Sequence, residues 1–168
     1  MCIRDRHDTL RFTEEPTPEI RLRCHGRGVV GGTVPPGDDN LVVRAARLLQ
    51  EHSGTSRGVT IDLWKRIPVS AGLAGGSTDA AATLVALDRL WELGLAAEEL
   101  LTLAARLGSD VSFFVRGIPA AICRGRGEEI HPVGRPLGRG KLRFTGVPCI
   151  RRWSRIIPRP VRSAEWIL

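Results

Sequence analysis

One unbroken run carries the features that an anion site needs: Pro68, Val69, Ser70, Ala71, Gly72, Leu73, Ala74, Gly75, Gly76, Ser77 and Thr78. Its glycines lack a Cβ, so the backbone is free to take positive φ and a bound group can approach the amides closely. The run leads into Asp79–Trp91, where Ala81, Ala82, Leu84, Val85, Leu87 and Leu90 recur at helical spacing. Ser77 and Thr78 are the expected caps of that helix. Open N–H groups and the positive end of a helix dipole both favour negative charge, and a phosphate chain is the natural ligand. A tight turn before a buried helix is the plainer alternative, and these residues alone leave it open. The Walker phosphate loop is excluded, because no GxxxxGK(S/T) occurs in the chain.

A second candidate group is Asp110, in the stretch Leu107-Gly-Ser-Asp-Val-Ser-Phe-Phe-Val-Arg-Gly117. Phosphoryl transfer needs a group that accepts or orients the proton of the attacking hydroxyl. A carboxylate within hydrogen-bond reach does so at neutral pH. An aspartate ahead of an apolar run more ordinarily caps a turn, so residue type leaves both roles open. Asp79 lies close enough to the loop to see a metal ion, yet its place in a helix first turn is explained by the dipole.

The elements that must position these groups are legible from periodicity. Val59–Ile67 alternates apolar and polar residues as a half-buried strand does, which puts the glycine loop between a strand and a helix. A helix is predicted from Asp39 or Asn40, with Leu41, Val42, Ala45, Leu48 and Leu49 inward, and another over about Ala97–Leu107 with Gly108 as its stop. The segments DTLRFTE and EIRLRC, separated by Pro16 and Pro18, predict two antiparallel strands. Gly26–Gly31 matches GxGxxG but meets Thr33-Val-Pro-Pro-Gly37 where a helix should open, so it is read as a turn. Residues 120–123 and 125–130 read as strand, turn and strand, with Arg124 and Arg126 as solvated charges and Phe113, Phe114 and Val115 as core. Pattern alone supports a mixed α+β chain.

Composition narrows the class. At 168 residues and 42% hydrophobic, the chain suits one domain that needs no disulfide or metal to build a core. The net charge of +7 suggests nucleic acid until it is located. Residues 1–134 carry a net of −1, and residues 135–168 carry nine basic residues against one acid. The expectation is therefore a leader at 1–7 and a basic tail at 135–168, both of non-native or frame-shifted sequence, around a domain at 8–134. Cysteines 2, 24, 123 and 149 and histidines 7, 25, 52 and 131 show no metal-ligand spacing beyond the adjacent Cys24-His25, so no metal site is expected and the thiols read as reduced. No signal peptide or transmembrane run is visible, which makes the cytoplasm the default compartment.

The loop resembles the ATP loop of the GHMP kinases, whose Pro-x-x-x-Gly-Leu-x-x-(Gly/Ser)-Ser-(Ser/Thr) form lands on Pro68, Gly72, Leu73, Gly76, Ser77 and Thr78. Within that family the Gly-Gly-Ser-Thr-Asp-Ala-Ala ending, and the helix DDNLVVRAARLL, are most similar to the branch that phosphorylates the 2-hydroxyl of diphosphocytidyl-methylerythritol in the non-mevalonate isoprenoid pathway. The family motif Gly-(Ala/Ser)-Asp-Val-Pro-Phe-Phe lands on Gly108, Ser109, Asp110, Val111, Phe113 and Phe114, with Ser112 in place of proline, and implies that Asp110 is the catalytic base. The resemblance further implies ATP and Mg2+, a small-molecule substrate with no nucleic acid or membrane partner, and a two-layer α+β fold of ribosomal protein S5 domain 2 type. Its Ala-Lys-x-Asn-Leu and Asp-Gly-Tyr-His motifs and its glycine-rich C-terminal half have no counterpart here, so an incomplete domain with little activity of its own is expected. Three rivals stay open. They are another small-molecule kinase of the family, of mevalonate or homoserine type, a nucleotide-binding remnant without catalysis, and a basic nucleic-acid binder.

Overall fold

In the computed structural model the described residues are 7–25, 37–69, 73–118, 121–125 and 129–132, together with the backbone of 163–167. Strands β1 (Thr9–Glu15) and β2 (Ile20–His25) come first. A single 3-10 turn (Gly37–Asp39) then leads into α1 (Leu41–Ser53), and β3 (Gly58–Trp64) follows. Helices α2 (Gly75–Leu90), α3 (Ala97–Leu107) and α4 (Ser109–Arg116) come next, before a hairpin of β4 (Ala121–Arg124) and β5 (Glu129–Pro132). A last strand, β6, spans Ser163–Ile167.

The sheet order is β2-β3-β1-β6. β1 is antiparallel to both β3 and β6, whereas β2 runs parallel to β3. The two predicted N-terminal strands are therefore both present but are not partners, because β3 inserts between them. The physical reason is the link between β2 and β3, which contains α1 and so permits a parallel crossover that a short hairpin turn does not. The basic segment at 135–168 contributes β6, which sequence pattern did not predict; the rest of that segment, residues 1–6 and the Gly26–Gly31 turn lie outside the described residues.

The helices cover one face of the sheet. Leu10 and Phe12 of β1 and Val59, Ile61 and Leu63 of β3 meet Val42, Ala45, Ala46 and Leu49 of α1 and Ala80, Ala81, Leu84 and Leu87 of α2 in one core. Arg11 and Thr13 of β1, and Arg21 and Arg23 of β2, alternate outward. Thr60 is buried on β3 because its hydroxyl donates to Glu15 Oε1 at 2.8 Å. α1 forms as predicted: the Asn40 side chain accepts the Val42 N–H at 2.9 Å, and Gly54 closes the helix with φ of 66°. α3 matches its predicted bounds, and Glu99 Oε2 accepts the Ala96 N–H at 2.9 Å to complete its first turn.

β3 and α2 are joined at both ends. Trp91, just past α2, donates its indole N–H to the Gly58 carbonyl at 3.3 Å, and at the other end Lys65 reaches Asp79. α2 thus lies antiparallel along β3, which brings the helix N-terminus to the strand exit.

Truncating Leu49, fully buried in this core, should lower the unfolding free energy by about 2–5 kcal/mol. Ile122→Ala, at an exposed hairpin position, should change it by no more than about 0.5 kcal/mol. Urea denaturation of the two variants checks the contrast.

Candidate active site

Asp8, just before β1, is completely buried and fixes the point where the chain leaves the sheet. Its Oδ1 accepts the backbone N–H groups of Arg66 at 2.6 Å and Ile67 at 2.9 Å. Those two amides are thereby taken out of the sheet ladder, so β3 ends at Trp64 and not at Ile67 as alternation alone predicts. The other oxygen of Asp8 accepts from the Lys65 ammonium. Lys65, with a side chain only 6% exposed, also donates to Asp79 Oδ2 at 2.8 Å. A strand exit, the chain ahead of β1 and the first turns of α2 therefore converge on one ammonium.

Burial dominates the electrostatics of this cluster. It pushes the Asp79 carboxyl from an ordinary 3.8 up to about 7, with the Lys65 charge working against the rise and the Asp8 charge adding to it. Burial alone would lower the Lys65 pKa, but Asp79 and Asp8 outweigh it and hold the ammonium above its ordinary value. Asp79 Oδ1 is buried and has no hydrogen-bond partner among the described residues. The first-turn dipole is thus not the whole account of Asp79; its carboxylate is committed to Lys65. The approach requires glycine at position 75, where an added Cβ would stand 2.7 Å from Ile67 Cγ2 and 3.0 Å from Lys65 Nζ.

That close approach explains a correction to the predicted helix start. α2 begins at Gly75, not Asp79, so Ser77 and Thr78 lie inside the first turn and do not cap it. The N-cap is Ala74, in the left-handed region at φ 53° and ψ 24°, and no side chain caps the turn. The first helical bond runs from the Thr78 N–H to the Ala74 carbonyl at 3.0 Å. The Thr78 hydroxyl turns back to donate to the Gly75 carbonyl at 2.8 Å. By helix geometry the N–H groups of Gly75, Gly76 and Ser77 then have no acceptor within the helix. Gly76 is exposed and Ser77 half-buried, so this end of α2 opens to solvent. Pro68, Val69 and Leu73 are half-buried beside it, while Ser70, Ala71 and Gly72 lie outside the described residues.

Asp110 is exposed in the first turn of α4, a helix that packs against α2 and α3 through buried Val111 and Phe114. Ser112, standing where the resemblance implies proline, lies within the helix with its hydroxyl buried and without a hydrogen-bond partner among the described residues. The Cys123 thiol on β4 is pushed up by desolvation first and by the Asp110 charge second. Asp110 makes no hydrogen bond or ion pair with the described loop residues. Among the described residues no three His, Cys, Asp or Glu side chains group as a metal site, the cysteines Cys24 and Cys123 are free and exposed, and no helix is long and apolar enough to cross a membrane.

Sequence reasoning passed over Asp8 and Lys65. Their separation of 57 residues gives no periodic signal. The one available hint was a lysine at the inward end of an alternating strand, directly ahead of a glycine loop.

The sign of the Asp79 shift fixes a pH dependence. A carboxyl raised in the folded state contributes stability that is complete below its unfolded pKa of 3.8 and is lost as pH rises through about 7. The Tm of the unmodified chain should therefore fall relative to that of Asp79→Asn as pH rises from about 5 to about 8; parallel Tm curves over that range would contradict the shift.

Comparison with known proteins agrees with this geometry. A family model described as GHMP kinases N terminal domain matches residues 40–118. A 4-diphosphocytidyl-2-C-methyl-D-erythritol kinase of Heliobacterium modesticaldum is 58% identical over 63% of this chain and 35% of its own length. The enzyme of the same name from Bacillus velezensis is 48% identical over 81% of this chain and 45% of its own length. A crystal structure of 4-(cytidine 5'-diphospho)-2C-methyl-D-erythritol kinase superposes with a TM-score of 0.58 at 38% identity, covering 77% of this chain and 46% of that one. The chain spans less than half the length of these relatives. Across the β3 exit, the glycine loop, α2 and the Asp110 turn, the segment 40–118 is similar to the N-terminal domain of GHMP kinases.

Proposed function

We propose that this chain is the N-terminal, nucleotide-binding part of an ATP-dependent kinase that phosphorylates the 2-hydroxyl of 4-diphosphocytidyl-2-C-methyl-D-erythritol, a step of the non-mevalonate isoprenoid pathway in the cytoplasm. The observation that carries the reading is the uncapped start of α2. Ala74 in the left-handed region turns the chain into the helix, and by helix geometry the N–H groups of Gly75, Gly76 and Ser77 have no acceptor within it, nor does a side chain cap the turn. Such an end stabilises an anion through the N–H groups and the dipole together. The high similarity to kinases of that name supports the choice of substrate. The domain is read as 8–134, with a two-layer fold of ribosomal protein S5 domain 2 type.

In this mechanism Pro68–Thr78 receives the phosphate chain, with Gly75, Gly76 and Ser77 donating N–H groups to it. Asp110 orients the substrate hydroxyl and takes its proton as the oxygen attacks the terminal phosphorus in line, while ADP leaves with the electron pair of the broken P–O bond. Mg2+ would travel on the nucleotide's phosphate oxygens and neutralise part of their charge, with the Ser77 hydroxyl the available oxygen of the chain beside it. The helix dipole suits the phosphate charge, while the Ser77 hydroxyl is an oxygen of the kind that would suit the cation.

Isothermal titration should show ATP binding to the chain, weakened at least about tenfold by Gly76→Glu, which brings a like charge to the exposed amides. Asp110→Asn should leave ATP binding intact while lowering ADP release with the diphosphocytidyl alcohol by about 10²-fold or more. A chain that does not bind ATP would refute the reading.

A further inference from the structure

Resting on that nucleotide-binding reading, the geometry points to a role for Lys65 that the phosphate contacts themselves do not include. We propose that Lys65, held between Asp8 and Asp79, is a positioning residue for the phosphate site: it fixes where the N-terminus of α2 stands relative to the strand exit, and so sets nucleotide affinity without touching the nucleotide.

Both flanks of the glycine loop are tied to this one ammonium. On the strand side, Asp8 accepts the N–H groups of Arg66 and Ile67, the two residues before Pro68. On the helix side, Asp79 Oδ2 accepts from Lys65 at 2.8 Å, one turn below the open amides of Gly75 and Gly76. Asp8 itself accepts from Lys65. The ammonium also runs past the bare Cα of Gly75, and the side chain is nearly sealed from solvent. Its burial makes a direct hydrogen bond to a ligand unnecessary to the role. A simple structural ion pair would need only one carboxylate; here a single cation is shared by two, Asp8 ahead of β1 and Asp79 on α2, and Asp79 keeps a buried oxygen unpartnered.

The test compares ATP and AMP binding by calorimetry for the unmodified chain and for Lys65→Met, Gly75→Ala and Leu49→Ala. Gly75→Ala crowds Ile67 and Lys65 without altering any charge, its Cβ standing nearest Ile67 Cγ2. Leu49→Ala lowers stability from the far end of α1 and is the control for general loosening. Lys65→Met should weaken ATP binding by about 10- to 100-fold, the usual effect of removing a group that supports a binding shell from behind, and should weaken AMP binding less, since fewer phosphate oxygens use the amides. Gly75→Ala should act in the same direction, and Asp8→Asn, which weakens the hold on Lys65 from the strand side and lies outside the phosphate contacts, stands in for Lys65→Met if that variant does not fold. Leu49→Ala should keep ATP affinity within about twofold. Unchanged ATP affinity in Lys65→Met and Gly75→Ala, or an equal loss in Leu49→Ala, would overturn the role while leaving nucleotide binding in place. Absence of ATP binding by the unmodified chain would instead remove the nucleotide-binding reading, and the role of Lys65 with it.

Discussion

The ammonium of Lys65, enclosed between Asp8 and Asp79, is the interaction on which the arrangement of the site depends. A buried cation of this kind adds little net stability when paired, because desolvation offsets most of the attraction. Removal of one partner is far more damaging, at about 3–5 kcal/mol, since a charge is then left buried and uncompensated. The value of such a cluster therefore lies in selecting one geometry among several compact ones. In this chain that geometry joins the exit of β3, the residues ahead of β1 and the start of α2. Hydrophobic contacts are non-directional, and the α2 residues nearest this end of the core are the small Ala80 and Ala81, with the larger Leu84 and Leu87 farther along the helix.

Local strain is concentrated at the same place. Ala74 holds a left-handed backbone conformation that costs an alanine roughly 1–2 kcal/mol. Gly75 tolerates an approach that any side chain would block. Strain of this sort persists only where surrounding contacts over-determine it. Asp8 on the Arg66 and Ile67 amides, Asp79 on Lys65 and Trp91 on Gly58 together supply that constraint. The outcome is a helix that starts earlier than its apolar spacing implies and presents bare amides at its end.

What could be read from the sequence follows the range of the interactions. α1 was legible because its signals are local: Asn40 as cap, apolar residues at helical spacing, Gly54 as stop. The same holds for α3 and for the β4 and β5 hairpin. The glycine loop and Asp110 stood out only through the family resemblance, since their residue types alone leave a tight turn and a turn cap open. The start of α2 was not legible, because glycine pairs read as loop, and the Ile67 and Lys65 side chains packed against Gly75 come from outside any helical window. Asp8 and Lys65 escaped notice for a related reason: a contact across 57 residues leaves no trace in any local window. The pairing of β2 with β3 and the addition of β6 were equally non-local.

The central claim is that the amides at the start of α2 form the anion site. Titrating ATP into the isotopically labelled chain while recording backbone amide resonances tests it most directly. The account predicts that the largest saturable shifts fall on the amides of Gly75, Gly76 and Ser77. Saturable shifts confined to other residues, with these three unmoved, would contradict it.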